Sequence, residues 1–224
     1  MPVDYGAAAE LLTRLEGDEK HEPSAFSTFT VLHVLYERVL RIDPSDPRAP
    51  DRDRFLLSKG HGPQAYYTML AARGFFPPEW LDGFAAYDSP LGWHPDRNLV
   101  PGVEISSGSL GHGLPMAVGV ALALRAQRHT RPRVFCLVGD GELDEGSNHE
   151  AIAFAGRSGL DALTVVAVDN DSATHGWPGG VAARFAGEGW SAVTVDGRDA
   201  EALEEALTAE HPGRPAVVVA AVRS

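Results

Sequence analysis

Two short segments carry residues able to grip a hard cation together with a phosphate. Gly139-Asp140-Gly141-Glu142 and Asp169-Asn170-Asp171-Ser172 each follow an apolar run, and Asp140 and Asn170 stand thirty positions apart. A carboxylate, an amide oxygen and a backbone carbonyl form an all-oxygen donor set suited to Mg²⁺ or Ca²⁺. So few protein ligands leave coordination positions for phosphate oxygens and water. The glycines flanking Asp140 allow close backbone approach, and amides opening a helix after that turn favour an anion. The pattern implies a clamp for a cation and a diphosphate. Either segment alone is an ordinary turn; the specific signal is the pair, spaced as one strand–helix–strand unit.

The elements that must position this pair can be read from the apolar pattern. Val134–Val138 and Leu163–Val168 are apolar runs without polar alternation, as expected of strands covered on both faces. Further strands are expected at Ala192–Val195 and Ala216–Ala221, with helices at Leu114–Arg128, near 147–158, between 172 and 191, and at 199–209. Upstream, helices are expected over 5–16, 26–41, 63–73 and 78–87, the second stopped by Asp43-Pro44. Residues 88–112 show no period and hold four glycines, a long loop of the kind that usually carries function. Strands alternating with helices predict an α/β fold, a doubly wound, mostly parallel sheet with helices on both faces. The expected organisation is a single domain over 1–224. In such sheets ligands sit beyond the carboxyl ends of the strands, where both segments fall.

Composition narrows the classes. The 224 residues carry 19 Lys+Arg against 31 Asp+Glu, a net charge of −12, which argues against nucleic-acid or anionic-membrane partners. No apolar run approaches the roughly 20 residues of a membrane span, and the acidic first twenty residues lack the pattern of a signal peptide. A single cysteine, Cys136, fits a reducing, cytoplasmic setting. No P-loop or dinucleotide fingerprint follows the first apolar run.

Further stretches resemble one family. Gly139-Asp140-Gly141 with Asn170 is similar to the signature that binds thiamine diphosphate and Mg²⁺, shared by most thiamine enzymes. Asp51-Arg52-Asp53-Arg54-Phe55-Leu56-Leu57-Ser58-Lys59-Gly60-His61-Gly62, Gly92-Trp93-His94-Pro95, and Pro101-Gly102-Val103-Glu104 through Gly108-Ser109-Leu110-Gly111-His112-Gly113 resemble segments of transketolases over roughly residues 20–222. The resemblance implies the diphosphate-binding N-terminal subunit of a split transketolase, which moves a two-carbon ketol unit from a ketose or hydroxypyruvate-type donor to an acceptor.

The same resemblance implies roles. Asp140, Asn170 and the carbonyl of Ser172 would bind Mg²⁺ (or Ca²⁺). Gly139 and Gly141 would lie at the diphosphate, and the backbone of Gly108, Ser109 and Leu110 at the aminopyrimidine side. His61, His94 and His21 would face cofactor or substrate, imidazoles being suited to proton traffic near neutral pH. Glu145 would join a carboxylate network between paired sites. The glutamate that activates the cofactor would come from a C-terminal partner subunit carrying the pyrimidine-binding and C-terminal domains, in a heterotetramer. Three positions depart from the family: His112 replaces Gln, His175 replaces Asp and Asp171 replaces Gly, which points to small-molecule substrates outside ordinary pentose phosphates. Two rivals are the thiamine-binding subunit of a 2-oxoacid decarboxylase or dehydrogenase, and a non-catalytic paralogue that stabilises a partner. His33, His129, His149 and His211 have no motif around them and are read as structural or solvated.

Overall fold

A computed structural model describes residues 4–15 and 22–222, with side chains from residue 28 onward in the second helix. Five parallel strands form one sheet in the order β1-β2-β3-β5-β4, where β1 is Arg54–Leu57, β2 Val134–Gly139, β3 Leu163–Asp169, β4 Ser191–Asp196 and β5 Ala216–Ala221. Seven α-helices among the described residues flank it: α1 Tyr5–Leu12, α2 Glu22–Val34, α3 Gln64–Ala72, α4 Gly113–Ala126, α5 Gly146–Arg157, α6 Gly180–Gly187 and α7 Ala200–Thr208.

The period-two geometry of strands divides the interior into two cores. Phe55, Leu57, Phe135, Leu137, Val166, Val168, Val218 and Ala220 face α1, α2, α3 and α7. Leu56, Val134, Cys136, Val138, Leu163, Val165, Ala167, Val217 and Val219 face α4, α5 and α6. Every residue of β2 and β3 is buried, which explains why their sequences are mostly apolar without alternation. Burying one such large aliphatic side chain contributes about 1.5–3 kcal/mol. The expected doubly wound architecture is therefore the one observed.

Local structure differs from expectation in four places, the first being α1, expected over 5–16, which closes at Leu12 with Thr13 as its C-cap. Residues 54–57 form a short edge strand that the apolar pattern does not signal. The predicted helix over 26–41 is α2 continued by a π-helical turn at Leu35–Val39, closed by Leu40 N–H donating to the Leu35 carbonyl at 2.7 Å. Residues 78–83 form a 3₁₀ segment rather than a helix to 87. Helix starts follow side-chain chemistry: Asp4 accepts from the N–H groups of Gly6 and Ala7 at 3.0 and 3.2 Å, and Asp199 from those of Glu201 and Ala202 at 3.1 and 3.0 Å. β1 and β4 are the sheet edges, and on β4 Val193 is 41% exposed. Among the described residues no helix is long and apolar enough to cross a membrane.

Candidate active site

The parallel sheet delivers its loops to one rim. Gly139 pairs in register with Val168 and Asp169 with Ala221, so β2 and β3 release Asp140 and Asn170 side by side. Asp140 is 3% exposed. Its Oδ2 accepts from the N–H groups of Ser172 and Ala173 at 2.8 and 3.2 Å, and its Oδ1 from Gly141 N–H at 2.9 Å and from the Ser172 hydroxyl. This folds the loop after β3 onto the turn after β2. A Cβ at Gly141 would lie 3.2 Å from Ser172 Oγ and 3.4 Å from its carbonyl oxygen, so the loop after β3 packs directly on the Gly141 turn. Asp171 takes left-handed backbone at φ 58°, which Asp tolerates better than most residues.

The decisive atom is Asn170 Oδ1. It is buried and has no hydrogen-bond partner among the described residues. Burying an amide oxygen unpaired costs roughly 1–3 kcal/mol, so such atoms in functional clefts commonly face a missing ligand. Asp140 and Ser172 lie in the same pair of loops, and a carboxylate, an amide oxygen and a backbone carbonyl are donor types that a hard cation takes. The donor types present therefore fit the hard cation expected from the sequence.

A second cluster lies on the same rim. The rings of His61 and His94 meet edge to face, with centroids 5.0 Å apart. Gly108, at φ 125°, leaves room for the His94 ring, 2.6 Å from where a Cβ would stand. A Cβ on Gly60 would strike the Gly108 nitrogen at 2.4 Å and the Ser107 hydroxyl at 2.8 Å. Ser107 Oγ is itself buried without a partner among the described residues. Ser109 is exposed and Leu110 half-buried, and the Leu110 carbonyl lies 3.1 Å from Nδ1 of the exposed His112. Glu145 is exposed at the start of α5, its Cβ packed on Gly111. His175 is exposed, with its N–H donating to Asp144 at 3.3 Å. His21 lies outside the described residues.

Three residues at this rim stand in the sequence motifs without receiving a role from them: Ser58, Lys59 and Glu142. Glu142 is 2% exposed and accepts from Gly139 N–H at 3.1 Å, from the Ser58 hydroxyl at 2.9 Å and from Gly111 N–H at 3.2 Å. Burial pushes its carboxyl above the usual range, against those donors and Lys59. Lys59 donates from Nζ to Thr28 Oγ1 at 3.1 Å, and desolvation pulls its amine down to about 8 despite Glu142 and Asp140. In sequence Glu142 is one acid among several, with Asp144 and Glu145 two and three residues on; only the tertiary contacts distinguish it.

Comparison with known proteins gives a consistent result. Residues 15–222 match the family described as "Transketolase, thiamine diphosphate binding domain". A protein named ferredoxin fas2 of Rhodococcoides fascians is 56% identical, covering 97% of this chain and 72% of its own length. An apulose-4-phosphate transketolase subunit of Actinobacillus succinogenes is 37% identical, covering 89% and 75%. The transketolase from Leishmania mexicana superposes with a TM-score of 0.81 at 26% identity, covering 99% of this chain and 37% of that one. The chain thus spans about three quarters of the first two relatives and little more than a third of the third. An iron–sulfur cluster of the ferredoxin type takes four cysteine thiolates; this sequence holds one cysteine, the buried Cys136, and cannot supply them.

Proposed function

Because the chain belongs to the transketolase family, we propose that it is the diphosphate-binding subunit of a two-component, thiamine-diphosphate- and Mg²⁺-dependent transketolase. It would transfer a two-carbon ketol unit from a ketose or hydroxypyruvate-type donor to an acceptor. Residues 1–224 are read as one diphosphate-binding domain, active with a separate polypeptide that carries the pyrimidine-binding and C-terminal domains. The expected assembly is a cytoplasmic heterotetramer with two copies of each subunit. The observation that carries the reading is the buried, unpartnered Oδ1 of Asn170 beside a loop folded onto Asp140.

When bound, thiamine diphosphate supplies the carbon nucleophile and the electron sink for breaking and making a C–C bond. In this reading Asp140, Asn170 and the Ser172 carbonyl hold the cation. The Gly139–Gly141 backbone lies along the diphosphate, and that of Gly108, Ser109 and Leu110 along the aminopyrimidine. His61 and His94, already in ring contact, hold and move protons at substrate hydroxyl oxygens, with His21 assigned to the same channel. Glu145, on the exposed start of α5, belongs to a carboxylate network reaching the neighbouring site. The histidine pair favours ketol transfer over 2-oxoacid decarboxylation, which has no need of imidazoles poised at sugar hydroxyls.

Calorimetric titration of the chain with thiamine diphosphate and Mg²⁺, with and without the partner subunit, tests the reading. Binding that Asp140→Ala abolishes is expected; undiminished binding by that variant would refute it. His112, His175 and Asp171 all lie on this rim, and they support a donor or acceptor outside ordinary pentose phosphates. Efficient turnover of xylulose 5-phosphate with ribose 5-phosphate by the reconstituted pair would contradict that part.

A further inference from the structure

Glu142 joins three loops that come from distant parts of the chain. Its Oε1 accepts from Gly139 N–H at 3.1 Å, next to Asp140. Its Oε2 accepts from the Ser58 hydroxyl at 2.9 Å and from Gly111 N–H at 3.2 Å. Ser58 leads into His61, and Gly111 follows Gly108-Ser109-Leu110. The network extends on both sides: Gly113 N–H donates to Ser58 Oγ at 3.1 Å, and Asn148 Nδ2 donates to the Glu142 carbonyl at 2.6 Å. Ser58, Glu142 and Asn148 are 1%, 2% and 0% exposed.

A carboxylate suits this position for a stated reason. It accepts through both oxygens and donates through neither, so it can take three donors at once. A glutamine keeps the shape but offers one acceptor oxygen, and its NH₂ would face either Gly139 N–H or the Ser58 and Gly111 donors. At least one buried donor is then left unpaired, which costs more than an ordinary hydrogen bond returns. Burial opposes a charged group here, and the Gly111, Ser58 and Gly139 donors, with Lys59 behind them, act against that cost without cancelling it. A glutamate that merely filled space would not draw its partners from the ends of β1 and β2 and from the loop before α4.

We propose that Glu142 is a positioning residue that locks the Ser58–His61, Gly108–Gly111 and Gly139–Gly141 loops in one register before any ligand or partner arrives, and thereby sets the affinity for the cofactor. The assignment rests on the thiamine diphosphate reading above. Its structural half, the locking of the loops, can be measured without cofactor.

The test uses the full chain in two measurements. Amide hydrogen exchange without ligand should be about tenfold faster over residues 107–113 in Glu142→Gln, with residues 163–168 of β3 still protected. Calorimetry with thiamine diphosphate and Mg²⁺, at a temperature where both proteins are folded, should show roughly tenfold weaker binding. Val217→Ala, a core deletion in β5 on the far side of β3, serves as the stability control: it should lower the melting temperature without moving either readout. If Glu142→Gln does not fold, Ser58→Ala carries the same measurements with an expected change of about fivefold. Wild-type exchange and affinity in Glu142→Gln, or equal losses in Val217→Ala, would overturn the proposal. Should the wild-type chain and its complex bind no thiamine diphosphate while Glu142→Gln still loosens 107–113, the cofactor reading falls and the locking of the loops stands.

Discussion

At the scale of single residues, the rim separates atoms that would touch a cation from atoms that only hold the loop. Asn170 presents an unpaired buried amide oxygen, whereas the Ser172 hydroxyl is spent on Asp140, and both that hydroxyl and the Ser172 carbonyl lie against Gly141. The two positions should therefore respond differently. Asn170→Ala removes the proposed ligand and should weaken Mg²⁺-dependent binding of thiamine diphosphate by about a hundredfold, the loss of one strong charge-assisted contact. Ser172→Ala keeps the carbonyl and should stay within about threefold of wild type, since only one neutral-donor hydrogen bond to Asp140 is lost. Titrating both variants checks this, and equal losses would show that the hydroxyl, not the carbonyl, is the functional group. The placement of Asp140 and Asn170 at neighbouring strand ends was legible in the sequence because the strand–helix–strand repeat restricts spacing. Glu142 was not, because an acid that faces inward and one that faces water look alike until the loops beside it are in place.

At the scale of elements, the sheet was readable where burial on both faces leaves a mostly apolar run, as in β2 and β3, and unreadable where a strand is short and bounded by charge. β1 is four residues long and follows the charged run Asp51-Arg52-Asp53, so it gives no apolar run long enough to mark a strand. What secures it is a tertiary ion pair. Asp53 is 0% exposed and accepts from the N–H groups of Arg41 and Arg133 at 3.0 and 2.9 Å and from their guanidiniums at 2.8 and 2.6 Å. Arg133 also caps the Val39 carbonyl, so one carboxylate ties the end of the π turn to the entries of β1 and β2. Burial alone would raise the Asp53 carboxyl, but the two arginines and the backbone donors hold it below the usual range. A depressed folded-state value contributes stability that is complete above the unfolded value of about 3.9 and is lost as pH falls through the folded value. Asp53→Asn should cost about 2 kcal/mol at neutral pH, less than a fully buried pair because both guanidiniums reach water. In urea unfolding the gap between wild type and variant should close as pH drops below about 4; a gap independent of pH would exclude the ion pair as its source.

At the scale of the whole molecule, the features divide between the two ends and the flanks of the sheet. Loops assigned the proposed chemistry gather at the carboxyl rim, while α4 and α5 flank a shallow groove lined by Pro115, Val118, Glu150 and Phe154, the last 50% exposed, and Met116 of α4 is 39% exposed. An apolar patch rimmed by a carboxylate is the expected seat of the second polypeptide. Phe154→Glu should leave the melting temperature of the chain within about 1 °C, as exposed substitutions usually do, yet abolish co-elution with the partner. Retained assembly would move the interface elsewhere. The two edges of the sheet differ in a way that bears on handling the protein. β1 is entered through paired aspartates and arginines, the kind of charge that discourages another chain from adding to an edge. β4 has no such guard along its middle, where Val193 lies open. Its outward amides and carbonyls are a template on which a second molecule can extend the sheet, so in concentrated stocks self-association into fibrillar aggregates should nucleate on the β4 side, and Val193→Lys would be the simplest cure.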